Sequence, residues 1–187
     1  MNPAFTNLGV MLVMMQVSKK MDWENPSTVF YVRILYSVCT LFCLAVYLYV
    51  RQQIISKNDL TTMKYVEPAS PFGGSSEEKL IVTTVKDYDL KQIQSSIKGV
   101  FTGLAMMGFM HLYMKYTNPL LMQSISPVKS ALESQIVKIH LFGKPAIGDL
   151  KRPFAAASMF GAAAPAKTDK HTIETAEVSG NGGVKEE

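Results

Sequence analysis

Ile34 to Val50 is a run of 17 residues without a charge. As a helix at ~1.5 Å per residue it covers about 26 Å, and Val29 to Tyr31 extend it past Arg33 toward the ~30 Å of a bilayer's hydrocarbon core. Tyr31, Tyr36, Tyr47 and Tyr49 fall near its two ends, where amphipathic rings favour the headgroup level, and Arg51 closes it. The run therefore predicts a transmembrane helix. Cys39 and Cys43 lie four apart on one face of it. That setting suits small buried side chains, not a disulfide framework or a zinc site.

The rest of the chain arranges itself around this segment. Hydrophobic residues make up 48% of the 187, and they cluster in three blocks instead of spreading as one globular core would require. The first block is Leu8 to Val17, preceded by Pro3 to Phe5 and closed by Lys19 and Lys20. Even from Pro3 to Val17 it reaches only about 22 Å. It spans only where the bilayer is thin, where Ser18 and snorkelling lysines extend it, or where partner helices shelter it. No basic region precedes it and no small-residue cleavage site follows, so no cleavable signal peptide is expected. Asn25-Pro26-Ser27 has the forbidden proline of a glycosylation sequon.

The third block, Gly99 to Met114, continues a helix that starts earlier, with Asp87 or Asp89 as N-cap. Leu90, Ile93, Ile97, Val100, Phe101 and Leu104 recur at helical spacing. Gly99 and Gly103 form a small-xxx-small pair, a pattern that lets a second helix approach. Asn118-Pro119 then breaks the helix. Ser126 as N-cap and Pro127 at the first helical position predict a separate amphipathic helix, with Val128, Leu132, Ile136 and Ile139 on one face and a stop at Gly143 and Pro145.

Between the blocks, residues 51–98 carry seven basic residues, a concentration that points to the cytosolic side. Pro68 to Ser76 reads as a loop and Lys79 to Lys86 as a short strand. This segment holds too little apolar material for a core of its own and is expected to form an arm on the flanking helices. Residues 115–187 carry nine more basic residues. If both segments are cytosolic, the third block re-enters; if only the arm is, that block crosses. Beyond Phe154 an alanine-rich linker leads to a polar tail, expected to be disordered except around Ile173 to Val178.

These readings give an all-α membrane protein with two to three short transmembrane or re-entrant helices, a cytosolic arm with a long helix, an amphipathic helix and a disordered tail. Its parts are an N-terminal short segment and transmembrane helix (1–50), a basic arm (51–98), a broken membrane segment (99–128), an amphipathic helix with a basic loop (127–154) and the tail (155–187).

Ionisable residues in apolar helices are costly and mark candidate sites. Arg33 reads first as an interfacial arginine reaching head groups. His111 needs a polar partner in a dry setting, either as a contact between helices or as the lining of a wet groove with Lys115 one turn on. Met106, Met110 and Met114 form one stripe with Met107 beside His111, a flexible surface suited to varied apolar partners or to ordinary packing. Arg33, Met106, Met107, Met110, His111, Met114 and Lys115 are thus the candidate groove residues. No second ligand stands at metal spacing near His111, and His140 and His171 suggest no site. No P-loop, GxSxG, HExxH or CxxC is present, so no catalytic residue, cofactor or metal is expected.

Three stretches carry a resemblance: "NDLTTMKYVEP" (Asn58 to Pro68), "VTTVKDYDLKQI" (Val82 to Ile93) and the run from Met106 to Phe154 beginning "MMGFMHLYMKYTNPLLMQSISPVK". They closely resemble the fungal endoplasmic-reticulum membrane component of the SRP-independent (SND) targeting pathway, a family also named for inorganic phosphate transport. The resemblance implies a multi-pass endoplasmic-reticulum protein that delivers or inserts membrane proteins. Its partners would be the Sec translocon, other membrane subunits of the pathway, the ribosome or nascent chain, and the lipid bilayer. It implies no enzymatic activity and no small-molecule substrate. A phosphate transporter or a translocon scaffold are the alternatives. Direct transport is disfavoured by the scarcity of cationic residues at mid-membrane and by the absence of an internal repeat.

Overall fold

The structure, a computed structural model, describes residues 3–67, 79–154, 166 and 168–178. It is mostly helical, built on α1 (Pro3–Lys20), α2 (Pro26–Lys57), α3 (Val85–Gly108), α4 (Asn118–Glu133), α5 (Gln135–His140) and α6 (Lys170–Val178). The all-α expectation needs correction, because a two-stranded antiparallel sheet is present, β1 (Thr62–Glu67) with β2 (Lys79–Thr84). The strand expected near Lys79 to Lys86 is there; its partner was not foreseen. Thr62 pairs with Thr84 and Glu67 with Lys79, the latter placing opposite charges across the ladder.

α2 organises the molecule. Asn25 caps it by accepting from the Ser27 N–H (2.9 Å), Pro26 occupies the first turn where a missing N–H costs nothing, and Asn58 ends it in the left-handed conformation at φ 45°. Among the described residues it is the one helix long and apolar enough to cross a membrane. Its 32 residues run about 48 Å. α4, α3 and α5 all pack against it, and α1 lies on α4.

The apolar contacts gather at two levels. Toward the beginning of α2, Met14, Val32, Met107, Leu120 and Leu121 bring α1, α2, α3 and α4 together. Toward its end, Cys43, Val46, Tyr47, Val50 and Ile54 pack with Ile93, Ala131, Ile136 and Val137. α3 therefore runs back along α2 from the second level to the first, and α4 returns to the second. In between, large side chains such as Val38, Leu41 and Phe42 of α2 point outward and uncovered.

Two boundaries differ from the sequence reading. Thr84, not Asp87 or Asp89, caps α3: its Oγ accepts from the Asp87 N–H (3.1 Å) and its hydroxyl donates to the Asp87 carboxylate (2.6 Å). Asp87 therefore serves as the acidic partner inside the first turn, bonding the hydroxyl of the cap and placing negative charge at the helix N-terminus. Asn118-Pro119 opens a helix instead of merely ending one, and Pro127 sits inside α4, not at the start of a separate helix. The break falls at Ser134, which is extended. Pro127 forfeits one backbone hydrogen bond, but burial of Leu120, Leu121, Ser124 and Ala131 holds the helix continuous through it. The stop near Gly143 is as expected, with φ 62°.

In the tail, α6 covers the interval around Ile173 to Val178 that the sequence reading set apart, and it lies against both strands. The loop from Pro68 to Ser76, most of the alanine-rich linker and the final residues from Ser179 lie outside the described residues.

Candidate functional site

At the first level the α-helical register of α3 gives way to a π-helical turn, Phe109–Tyr113. The Met114 N–H reaches back to Phe109 O (3.4 Å) and the Tyr116 N–H to Met110 O (3.1 Å). Such a widened turn re-aims side chains relative to the preceding helix. Lys115 follows at φ 58°, a left-handed position that stops the helix before Asn118 is reached.

This irregular end brings together two of the candidate residues. Arg33 Nε donates to His111 Nε2 at 2.9 Å, across 78 positions of sequence. His111 Nδ1 lies 3.2 Å from Tyr116 O. An arginine only donates, so Nε2 must be the accepting nitrogen and Nδ1 carries the hydrogen given to the Tyr116 carbonyl. His111 is therefore a bracket between a backbone carbonyl on one side and a guanidinium on the other. Arg33 is exposed, and among the described residues its two terminal amino groups meet no protein acceptor. Around the pair Tyr31, Ile34, Leu112, Tyr113 and Tyr116 all face outward.

The methionines divide. Met106 is 61% exposed and Met114 50%, with Met110 half-buried between them. Met107 is 4% exposed and belongs to the packing of α1, α2 and α4, so it lies in the core behind this surface and not on it. Lys115 is exposed beside the pair in the chain. Gly99 and Gly103 are also exposed, and a Cβ on either would meet nothing within 4 Å, so among the described residues no helix packs there.

A second polar cluster, at the opposite end of α2, escaped the sequence reading. Asp89 is 1% exposed and accepts from Arg152 twice, Nε to Oδ1 and Nη2 to Oδ2, both at 2.6 Å. His140 Nε2 lies 2.7 Å from Oδ2 of the same carboxylate. His140, which the sequence set aside, is a buried partner of Asp89, and among the described residues its Nδ1 has no hydrogen-bond partner. Beside it the Phe154 N–H donates to the Tyr88 hydroxyl (2.7 Å), while Tyr88 stands edge-on to both Tyr65 and Phe154. Burial pushes the Tyr88 phenol above its usual range, against the opposing effect of the Phe154 N–H bond. A signal for Asp89 existed. It stands four residues before Ile93, on the apolar face of α3, where a carboxylate must find partners.

Asp89, Arg152 and Phe154 also fix how the chain is folded back. They tie the segment after α5 to the first turns of α3, so the arm and residues 141–154 share one end of α2. The first polar pair, Arg33 with His111, lies at the other.

Comparison with known proteins adds to this picture. The family model described as phosphate transport (Pho88) matches residues 1–184. The chain is 60% identical to SRP-independent targeting protein 3 of Saccharomyces cerevisiae over 189 aligned positions, covering 100% of both. It is 38% identical to the protein named as its homolog in Schizosaccharomyces pombe, over 95% of this chain and 92% of the other. A second Schizosaccharomyces pombe protein, named as uncharacterized, is 44% identical over 86% of this chain and 80% of its own length. No solved structure matches. A chain matched from end to end by relatives of its own size, and along residues 1–184 by one family model, belongs to that family, Pho88.

Proposed function

We propose that the protein is a targeting and insertion factor for membrane proteins of the endoplasmic reticulum, working beside the Sec translocon and the ribosome. The observation that carries this reading is the Arg33–His111 hydrogen bond, a polar pair opening outward among uncovered apolar side chains. A charged group in such a place is costly in lipid unless water or polar groups reach it. A shallow hydrated groove at this point lowers the cost of moving the polar flank of a client helix into the bilayer. Met106, Met110 and Met114 offer the client's apolar face a deformable surface. The names of the relatives, SRP-independent targeting protein 3 and its homolog, support a targeting role.

In this reading α2 crosses the membrane, and α3 and α4 form a hairpin that enters from the arm's side and returns to it. α4 at 16 residues reaches only about 24 Å, less than a full hydrocarbon core. The arm and residues 141–154 then lie together in the cytosol, where their excess of lysine and arginine is favoured and where a ribosome is accessible.

The family's description as phosphate transport keeps a second reading in view. Phosphate passage calls for several cations converging at mid-membrane. Arg33, His111 and Lys115 are the candidates along the exposed surface, and they sit at one end of α2 rather than along a path. One experiment separates the two. The purified protein is reconstituted in liposomes and offered a multispanning client together with labelled phosphate. Client insertion without phosphate flux is expected; flux without insertion would sink the insertion reading.

A further inference from the structure

We propose that Arg33 and His111 form a binding site for the phosphodiester of a membrane lipid. The proposal rests on the reading above only in placing this end of α2 in a bilayer, and it names what the exposed guanidinium holds there when no client is present.

The geometry commits only one of the arginine's donors. Its Nε is committed to His111 Nε2, and His111 is itself fixed through Nδ1 to the Tyr116 carbonyl. The guanidinium plane is thereby set, and the end-on pair of terminal amino groups is the fork that the histidine does not use. Four N–H donors remain, among the described residues without a protein acceptor. A planar fork of this kind matches two oxygens of a phosphate. Ordering comes in advance from His111, so less rotamer freedom is lost on binding.

The surroundings select the depth. Tyr31 precedes Arg33 by two residues, and Tyr113 and Tyr116 flank the end of the π-helical turn; all three are exposed. Outward tyrosines gather at the headgroup level of a bilayer, where lipid phosphates lie. Lys115, exposed between His111 and Tyr116 in the local turn, adds positive charge to the same region. Inorganic phosphate offers the same oxyanion chemistry, but the outward apolar side chains Ile34, Leu35 and Leu112 would meet acyl chains only if the phosphate belongs to a lipid.

The test is a phosphorus–nitrogen distance measurement by solid-state NMR. The full chain, with arginine labelled in its guanidinium nitrogens, is reconstituted in phosphatidylcholine bilayers. The sequence has three arginines, Arg33, Arg51 and Arg152, and Arg152 is held by Asp89. Lipid phosphorus should dephase the Arg33 signal strongly. That component should vanish in Arg33→Gln and weaken several-fold in His111→Ala, which frees the guanidinium without removing it. Arg51→Lys should keep it, so the readout survives even if Arg33→Gln does not fold. A second arm uses phosphorus-free maltoside micelles with inorganic phosphate, where no Arg33 dephasing is expected. Absence of Arg33 dephasing in the bilayers overturns the proposal, and dephasing by inorganic phosphate in micelles overturns the lipid assignment. Client insertion is measured on the same preparations. A phosphorus contact in the wild type together with normal insertion by Arg33→Gln removes the groove role and leaves the lipid site standing; lost insertion with no phosphorus contact does the reverse.

Discussion

Asp89 and Arg152, 63 positions apart, join through two hydrogen bonds of 2.6 Å that close the chain into one folded unit at the end of α2. The carboxylate is almost fully buried and the arginine side chain is 13% exposed. Removing one member of a buried pair strands the other, which typically costs about 3–5 kcal/mol. Arg152→Ala is therefore expected to lower the thermal midpoint in detergent markedly. Arg152→Lys should recover only part, because an ammonium cannot bond both carboxylate oxygens as a fork does. A midpoint for Arg152→Ala equal to the wild type would show that the clamp contributes nothing net.

The same clamp makes a topological prediction. Because Arg152 and Phe154 bind residues of α3's first turns, the arm and the α5 loop must face one compartment. Single cysteines introduced by Leu60→Cys and Ile147→Cys, both at exposed positions, should react with a membrane-impermeant maleimide from the same side of sealed microsomes. Glu24→Cys, in the turn between α1 and α2, should react from the other side. The background is Cys39→Ser with Cys43→Ala. Labelling of Ile147→Cys from the side of Glu24→Cys would overturn the hairpin arrangement of α3 and α4.

Adjacent methionines on α3 should behave oppositely. Met107 fills the space where α1, α2 and α4 meet, so Met107→Ala is expected to cost roughly 2–5 kcal/mol through lost contact and a residual cavity. Met106, exposed next to it, should change stability by less than about 0.5 kcal/mol when truncated. Chemical or thermal unfolding of the two variants reads the difference directly. Equal losses would mean that Met106 is covered in the folded protein by something beyond this chain.

Tyr88 supplies an alkaline signature. Its folded phenol is raised by burial above the unfolded value of about 10. The associated stability is whole below that unfolded value and is lost as pH rises through the folded one, since only the unfolded chain releases the proton easily. Tyr88→Phe removes this dependence while leaving the Phe154 N–H without its acceptor. The variant should be less stable near neutrality and lose less stability on going to high pH. Parallel slopes for wild type and variant would contradict the assignment.

What the sequence made legible follows from how each element earns its stability. α2 was readable because an uncharged run of that length has few alternatives, and Gly143 was readable because a left-handed stop favours glycine. The continuity of α4 through Pro127 was not, because local propensity argues for a break and only the burial of Leu120, Leu121 and Ala131 against other helices overrides it. Arg33 and His111 are both legible as groove candidates; their direct hydrogen bond is not, because it depends on a π-helical turn that no residue pattern announces. Asp89 was misassigned to a cap because its true partners, His140 and Arg152, lie more than 50 positions away.

His111 decides between packing and client handling. In His111→Leu the apolar side chain keeps much of the ring's volume, while both hydrogen bonds, to Arg33 and to Tyr116 O, are lost. His111 lies on an exposed helix end outside both buried clusters, so folding should survive the change. The loosened guanidinium should then hold water less well at the groove, and insertion of a client with charged flanks should fall several-fold while an uncharged one is little affected. Site-specific photocrosslinking from position 110 gives the independent readout. Nascent chains should crosslink in the wild type and less in His111→Leu. If crosslinking and insertion both match the wild type, His111 is a packing residue, and the hydrated groove loses its anchor.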